Sequence, residues 1–154
     1  MNRIEVEISE REIRLSEIDW EALQRPDCGA SDVFFGMVRN RNHGREVLGV
    51  SYDAFEPLAR RELHKISEEA LRSELPNAHG TVFIRHRTGN LKVGEVSVVI
   101  AVFTPHRAEA FQVCRKVIEE LKKRAPIWKK ETYRDGESEW LQGHALCSSH
   151  GGGV

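Results

Sequence analysis

From residue 3 to residue 8, apolar Ile4, Val6 and Ile8 alternate with Arg3, Glu5 and Glu7, the period-two pattern of a half-buried strand. Ser16 offers an N-cap to a short helix through Ile18 and Leu23, which Pro26 and Gly29 close. Two β-rich runs, 33–38 and 47–52, flank a polar, basic loop at 39–46 of the kind that carries function. Residues 57–75 place Leu63, Ile66 and Ala70 on one face and stop at Pro76, an amphipathic helix. Strands follow at 81–86 and 96–104, joined across Gly89-Asn90 and Gly94. Thr104 as a hydroxyl cap and Pro105 at the first helical position open a second long helix. It carries Ala110, Phe111, Cys114, Val117, Ile118 and Leu121 on one face and runs to about Arg124, ahead of Pro126. Residues 128–133 and 139–141 form a last hairpin around Arg134-Asp135-Gly136. These elements predict an α+β domain with a mixed or antiparallel sheet and two long helices mainly on one side.

A chain of 154 residues, 40% hydrophobic, fills one core and not two, so residues 1–146 are read as a single domain and 147–154 as a flexible tail. No run reaches the roughly 18 apolar residues of a membrane span, and no apolar signal core opens the chain, which predicts a soluble, cytoplasmic protein. Cys28, Cys114 and Cys147 are too few and too scattered for a disulfide framework or zinc ribbon. Walker, dinucleotide, H-E-x-x-H and G-x-S-x-G signatures are missing from the sequence, so no cofactor or metal is expected.

Charge changes the picture locally. The 23 Lys+Arg nearly cancel 24 Asp+Glu, yet five cations crowd around Pro126 and Trp128 in residues 121–131. Such density points to a small or precisely placed anion. Lys122, Lys123 and Arg124 also complement a helix C-terminus without further purpose. Lys129, beyond Pro126, returns toward that helix end if the chain reverses there, and two facing lysines suit proton transfer or transient covalent chemistry. His106 and Arg107 sit at the start of the same helix, where cations are locally unfavourable. They either hold a phosphate or carboxylate with the helix N-terminus or point into solvent. His106 and Lys122 are separated by roughly 24 Å of helix at about 1.5 Å per residue, so one small ligand touches both only if a second subunit supplies one of them.

Together Phe34-Phe35-Gly36-Met37-Val38-Arg39-Asn40, Tyr52-Asp53-Ala54-Phe55-Glu56-Pro57, His86-Arg87-Thr88-Gly89, Thr104-Pro105-His106-Arg107 and the 121–131 segment resemble the large, catalytic subunit of molybdopterin synthase, the MoaE family. The resemblance covers about residues 3–142. It implies an α/β hammerhead-type fold and a homodimer that binds a small ubiquitin-like subunit at each end, giving a heterotetramer. It further implies a sulfurtransferase that moves sulfur from the partner's thiocarboxylated C-terminus to cyclic pyranopterin monophosphate, forming the molybdopterin dithiolene of molybdenum cofactor biosynthesis. By position Lys122 and Lys129 resemble the catalytic lysines. Arg39, with the backbone of Met37 and Val38, resembles the substrate-binding segment. His106 and Arg107 resemble the pair supplied across the dimer, and Lys130 and Glu131 border the pocket. The division of roles between the two lysines stays open.

Residues 141–154 hold no Lys or Arg, whereas family tails carry another basic residue after the tryptophan matching Trp140; His144 is the nearest candidate. His144, Cys147 and His150 have ligand-like spacing in what reads as a polar tail rather than a metal site. Cys114 reads as core packing, Trp128 as packing, and His43, His64, His79 and His86 as surface or hydrogen-bonded residues. Two rivals remain: a nucleic-acid-binding module using the basic patch around Trp128, against which the near-zero net charge argues, and a non-catalytic scaffold for the small subunit.

Overall fold

The computed structural model describes residues 1–137 and 140–142, so Glu139 of the expected hairpin, the 147–154 tail and the His144, Cys147 and His150 group lie outside the described residues. The chain runs β1 (Arg3–Ser9), a 3-10 turn (Leu15–Glu17), α1 (Trp20–Leu23), β2 (Ala30–Met37), β3 (Arg41–Asn42), β4 (Arg45–Ala54) and α2 (Glu56–Glu74). It continues through β5 (Thr81–Arg87), β6 (Gly89–Lys92), β7 (Val96–Thr104), α3 (Arg107–Arg124), β8 (Ile127–Tyr133), β9 (Gly136–Glu137) and β10 (Leu141–Gln142).

The α+β class holds, with the strands divided between two sheets. The first has the order β1-β5-β7-β2, with β1 parallel to β5 and the other pairs antiparallel. Central β5 and β7 are buried almost throughout because both their faces are covered, and β7 is a near-continuous apolar run. On one face lie α2 and α3, whose Leu63, Ile66, Val113 and Val117 meet Ile84, Ile100 and Val102 in the main core. On the other, Ile13, Ile18 and Leu23 of the 13–23 segment cover Phe83, Val99, Ala101 and Phe103. The second sheet has the order β10-β8-β4-β3, with β6 added to β4 and β9 to β8. Gly80 sits where the chain enters β5 with no room for a side chain: a Cβ there would lie 2.6 Å from the Phe103 carbonyl oxygen. Among the described residues no helix is long and apolar enough to cross a membrane.

Several local expectations change. The single short helix capped by Ser16 is a 3-10 turn followed by α1, capped by Asp19, whose carboxylate accepts from the Ala22 N–H at 3.0 Å. A carboxylate placed three residues before a free N–H outcompetes the earlier serine. The polar 39–46 loop folds as a hairpin, β3 against the start of β4, with His43 (φ 52°) and Gly44 (φ 76°) at its two-residue turn. Two positive φ values are what a type I′ turn requires, and the run Asn42-His43-Gly44 supplied that signal. The Gly89-Asn90 connection is itself a strand, β6, pairing with β4. Helix α3 starts at Arg107 with His106 as its N-cap. Thr104 and Pro105 precede the helix, and the Thr104 hydroxyl donates to the His106 carbonyl at 2.7 Å.

Candidate active site: a lysine-lined cleft between helix α3 and the second sheet

The sharp reversal at Ala125-Pro126 makes the site. It ends α3 and sends the chain into β8, antiparallel to β4, with Lys129 opposite Tyr52. Alternation along β8 then sends Ile127, Lys129, Glu131 and Tyr133 inward and Trp128, Lys130 and Thr132 to the other face. Lys122, in the last turn of α3, and Lys129 line one cavity with Tyr52, His86, Ser97, Val98, Ile118, Leu121 and Ile127. A second cavity, which shares Tyr52 and Lys129 with the first, is lined by Met37, Val38, Arg39, Arg41, Asn42, Val47, Val50 and Glu131. Lys129 thus borders both.

Lys129 is only 7% exposed and Glu131 4%, and their charges meet, Nζ to Oε1, at 3.1 Å. Burial alone would raise the Glu131 carboxyl. Hydrogen bonds from the Tyr133 hydroxyl and Asn42 Nδ2, with the neighbouring Lys129 ammonium, more than offset this and hold it below the ordinary carboxylate range. His86 is 4% exposed, and its Nδ1 lies 2.8 Å from the Arg87 carbonyl oxygen. A carbonyl only accepts, so Nδ1 carries the proton and Nε2 keeps a lone pair. Burial, reinforced by the Lys122 charge, pushes the imidazole down to about 4, so it is neutral at pH 7. The Tyr52 ring meets it edge-on, and burial raises the Tyr52 phenol to about 12. The cleft therefore presents ammonium groups beside a neutral imidazole and a protonated phenol. Such a set is chemically suited to an anion and to a developing oxyanion.

The expected site residues fall into three groups. Lys122, Lys129 and Glu131 come together with Met37, Val38 and Arg39 around the two cavities. Val38 offers less backbone than expected, since its N–H donates to the Glu95 carbonyl at 3.0 Å and its own carbonyl accepts from Gly94. Lys130 does not share this wall; strand alternation places it on the opposite face, its ammonium 5.8 Å from the Trp140 ring centre. His106 and Arg107 stand exposed at the far end of α3 and line neither cavity of this chain. Trp128, expected to pack, is on the exposed face of β8. Arg124 is absorbed structurally by Glu62 at 2.8 Å and Glu69 at 2.7 Å on α2.

No sequence pattern marks Tyr52, His86, Ser97, Asn42 or Tyr133 as a site residue. His86 stood in a noted motif but has no ligand spacing, and only the fold shows that it faces Lys122. The described cysteines are not poised as nucleophiles: burial raises Cys28 and pushes Cys114 up to about 12. Among the described residues no group of His, Cys, Asp and Glu is arranged to hold a metal ion.

Fold and site define an α/β hammerhead-type protein with a partly buried, lysine-lined cleft where helix α3 meets strands of both sheets. The family model described as MoaE protein matches residues 8–124, and the chain belongs to that family. It is 46% identical over 119 residues to the molybdopterin synthase catalytic subunit of Synechococcus elongatus, covering 77% of this chain and 71% of that one. The Nostoc protein of the same name is 48% identical over 113 residues, covering 73% and 67%. Among solved structures, molybdopterin synthase from Staphylococcus aureus superposes with a TM-score of 0.78 at 33% identity over 88% of this chain and 95% of that one. The MoaE protein from Burkholderia ambifaria gives 0.74 at 32% identity over 96% and 97%. Lys129 and Glu131 lie beyond the segment that the family model matches.

Proposed function

We propose that this chain is the catalytic subunit of a molybdopterin synthase, an enzyme of molybdenum cofactor biosynthesis. It transfers sulfur from the thiocarboxylated C-terminus of a small ubiquitin-like subunit to cyclic pyranopterin monophosphate. The observation that carries this reading is the meeting of Lys122 and Lys129, from opposite sides of Pro126, in one cavity of a MoaE-family fold.

The chemistry needs cations twice, for the substrate phosphate and for the partner's terminal carboxyl group. Arg39 and Arg41 at the mouth of the second cavity suit the phosphate, and Lys122 and Lys129 suit the reacting acyl group. The thiocarboxylate sulfur attacks an oxygen-bearing side-chain carbon of the substrate. The carbon–sulfur bond forms as that carbon's bond to oxygen breaks, the oxygen leaving as water or with the opening cyclic phosphate, and a thioester then joins partner and substrate. Water then adds to the thioester carbonyl. The tetrahedral oxyanion collapses, breaking the carbon–sulfur bond to the partner, which leaves as a carboxylate while sulfur stays on the pterin. Lys122 and Lys129 stabilise the oxyanion and move the protons. The raised thiols of Cys28 and Cys114 fit a sulfur atom supplied by the partner. A solved complex of subunits 1 and 2 of the molybdopterin-converting factor from Helicobacter pylori shares the fold, with a TM-score of 0.68 at 22% identity, and supports a two-subunit assembly. The distance from His106 and Arg107 to the cleft supports a homodimer in which a second copy supplies that pair, hence a heterotetramer with two small subunits.

The test is to mix the purified chain with thiocarboxylated small subunit and cyclic pyranopterin monophosphate and to measure molybdopterin. Product dependent on all three components is expected. No product from a folded, partner-bound chain overturns the proposal.

A further inference from the structure

We propose that Asn42 is a positioning residue for this reaction: its side-chain amide orients the Glu131 carboxylate that holds the Lys129 ammonium at the junction of the two cavities, an assignment that rests on the function proposed above.

The two oxygens of Glu131 divide their partners. Oε1 faces Lys129 Nζ at 3.1 Å, while Oε2 accepts from Asn42 Nδ2 at 2.9 Å and from the Tyr133 hydroxyl. An ionised carboxylate only accepts, so the amide must present its NH2 side here. Asn42, Lys129 and Glu131 are 7%, 7% and 4% exposed, so water does not readily replace a lost donor. With Oε2 tied to two groups, the carboxylate is held against rotation and Oε1 is aimed at the lysine. The groups facing Glu131 are Lys129 and Tyr133 from β8, Asn42 from β3, and Arg45 and Tyr52 from β4.

The hairpin does not depend on this bond alone. Arg45, opposite Asn42 in the ladder, reaches Asp135 at 2.6 Å and lies 3.6 Å over the Tyr133 ring, clamping the hairpin from outside. The inner amide is thus free to serve the site. Arg39 and Arg41 precede it and line the cavity that Asn42, Lys129 and Glu131 also line. One short segment therefore carries both the substrate-facing cations and the side chain that fixes the lysine's counter-ion.

The test uses Asn42→Ala and the near-isosteric Asn42→Leu in the full chain, assayed with thiocarboxylated small subunit and cyclic pyranopterin monophosphate. Folding is checked by thermal unfolding, and Asn42→Leu stands in if Asn42→Ala does not fold. A loose counter-ion is expected to lower kcat on the order of 10- to 100-fold, as small misplacements at reacting centres do, with KM for the pterin within about twofold of wild type. Loss of a donor to Glu131 also moves the acid limb of the kcat–pH profile to higher pH, because the carboxylate then gains its proton sooner. In a Glu131→Gln chain, the Asn42 substitutions add no further loss. A wild-type kcat and pH profile, a raised KM with kcat unchanged, or full additivity with Glu131→Gln overturns the proposal. A wild-type chain that makes no product instead overturns the proposed function, so the two failures are distinguishable.

Discussion

His86 and Lys122 face one cavity from different layers of the fold, the imidazole from the end of β5 and the amine from the last turn of α3. The ring is pinned by the Arg87 carbonyl and by the edge-on Tyr52 ring, whose centre lies 5.2 Å away. A neutral base fixed beside a lysine makes the acid sensitivity of the fold a property of the site.

Unfolding releases His86 to an ordinary pKa near 6.5, whereas in the folded chain it is pushed down to about 4. Between these values the unfolded chain binds more protons, so stability falls as pH drops from about 6.5 to about 4, by up to a few kcal/mol. Urea unfolding at pH 7, 5.5 and 4 is expected to show this slope in wild type. A His86→Gln chain, which keeps a donor for the Arg87 carbonyl, should lack most of it.

The two lysines are expected to differ in stability cost. Lys129→Ala leaves the Glu131 carboxylate buried without its cation and is expected to cost about 3 kcal/mol. Lys122 is half-buried at a helix end, and Lys122→Ala is expected to cost about 1 kcal/mol or less. Chemical denaturation of both variants checks the contrast, while molybdopterin synthesis is expected to collapse in each.

Arg124 belongs to the same basic segment yet serves packing. It joins α3 to α2 through Glu62 and Glu69, with Glu120 at 3.5 Å on its own helix. Arg124→Ala is expected to lower stability by about 1 kcal/mol and to leave synthesis at the wild-type rate. A rate loss beyond threefold in folded protein would place this cation in the site after all.

Gly80→Ala is expected to destabilise by about 1–3 kcal/mol, because its methyl would meet the Phe103 carbonyl oxygen at 2.6 Å and the side chains of Leu75 and Leu71 at 3.0 and 3.1 Å. A drop in the unfolding midpoint with unchanged denaturant dependence checks it.

The long elements were legible because α2, covered on one face, leaves a plain helical period in Leu63, Ile66 and Ala70, and β7, covered on both, leaves a near-continuous apolar run. The division into two sheets was not, since β4, β6 and β8 pair across long separations that no local pattern encodes. Lys122 and Lys129 stood out by charge density around a proline. The inward aim of Lys129 and the outward aim of Lys130 needed the strand register. Asn42 and His86 were invisible as site residues, because a lone polar side chain acquires its meaning from the buried groups the fold brings to it.

If His106 and Arg107 act in the neighbouring copy's cleft, inactive His106→Ala and Lys122→Ala chains should regain activity in mixed dimers. Each mixed dimer rebuilds one complete site, so about half the wild-type activity per dimer is expected. Confirmed mixed dimers without activity would place the pair in another role.

The most direct measurement is a single-turnover reaction of the chain, saturated with thiocarboxylated small subunit, on cyclic pyranopterin monophosphate. It compares wild type with Lys122→Ala and Lys129→Ala and confirms partner binding in all three by size. The prediction is molybdopterin from wild type, with rates at least about 100-fold lower from either variant despite bound partner. No product from the partner-bound wild type, or full rates from both variants, would contradict the account.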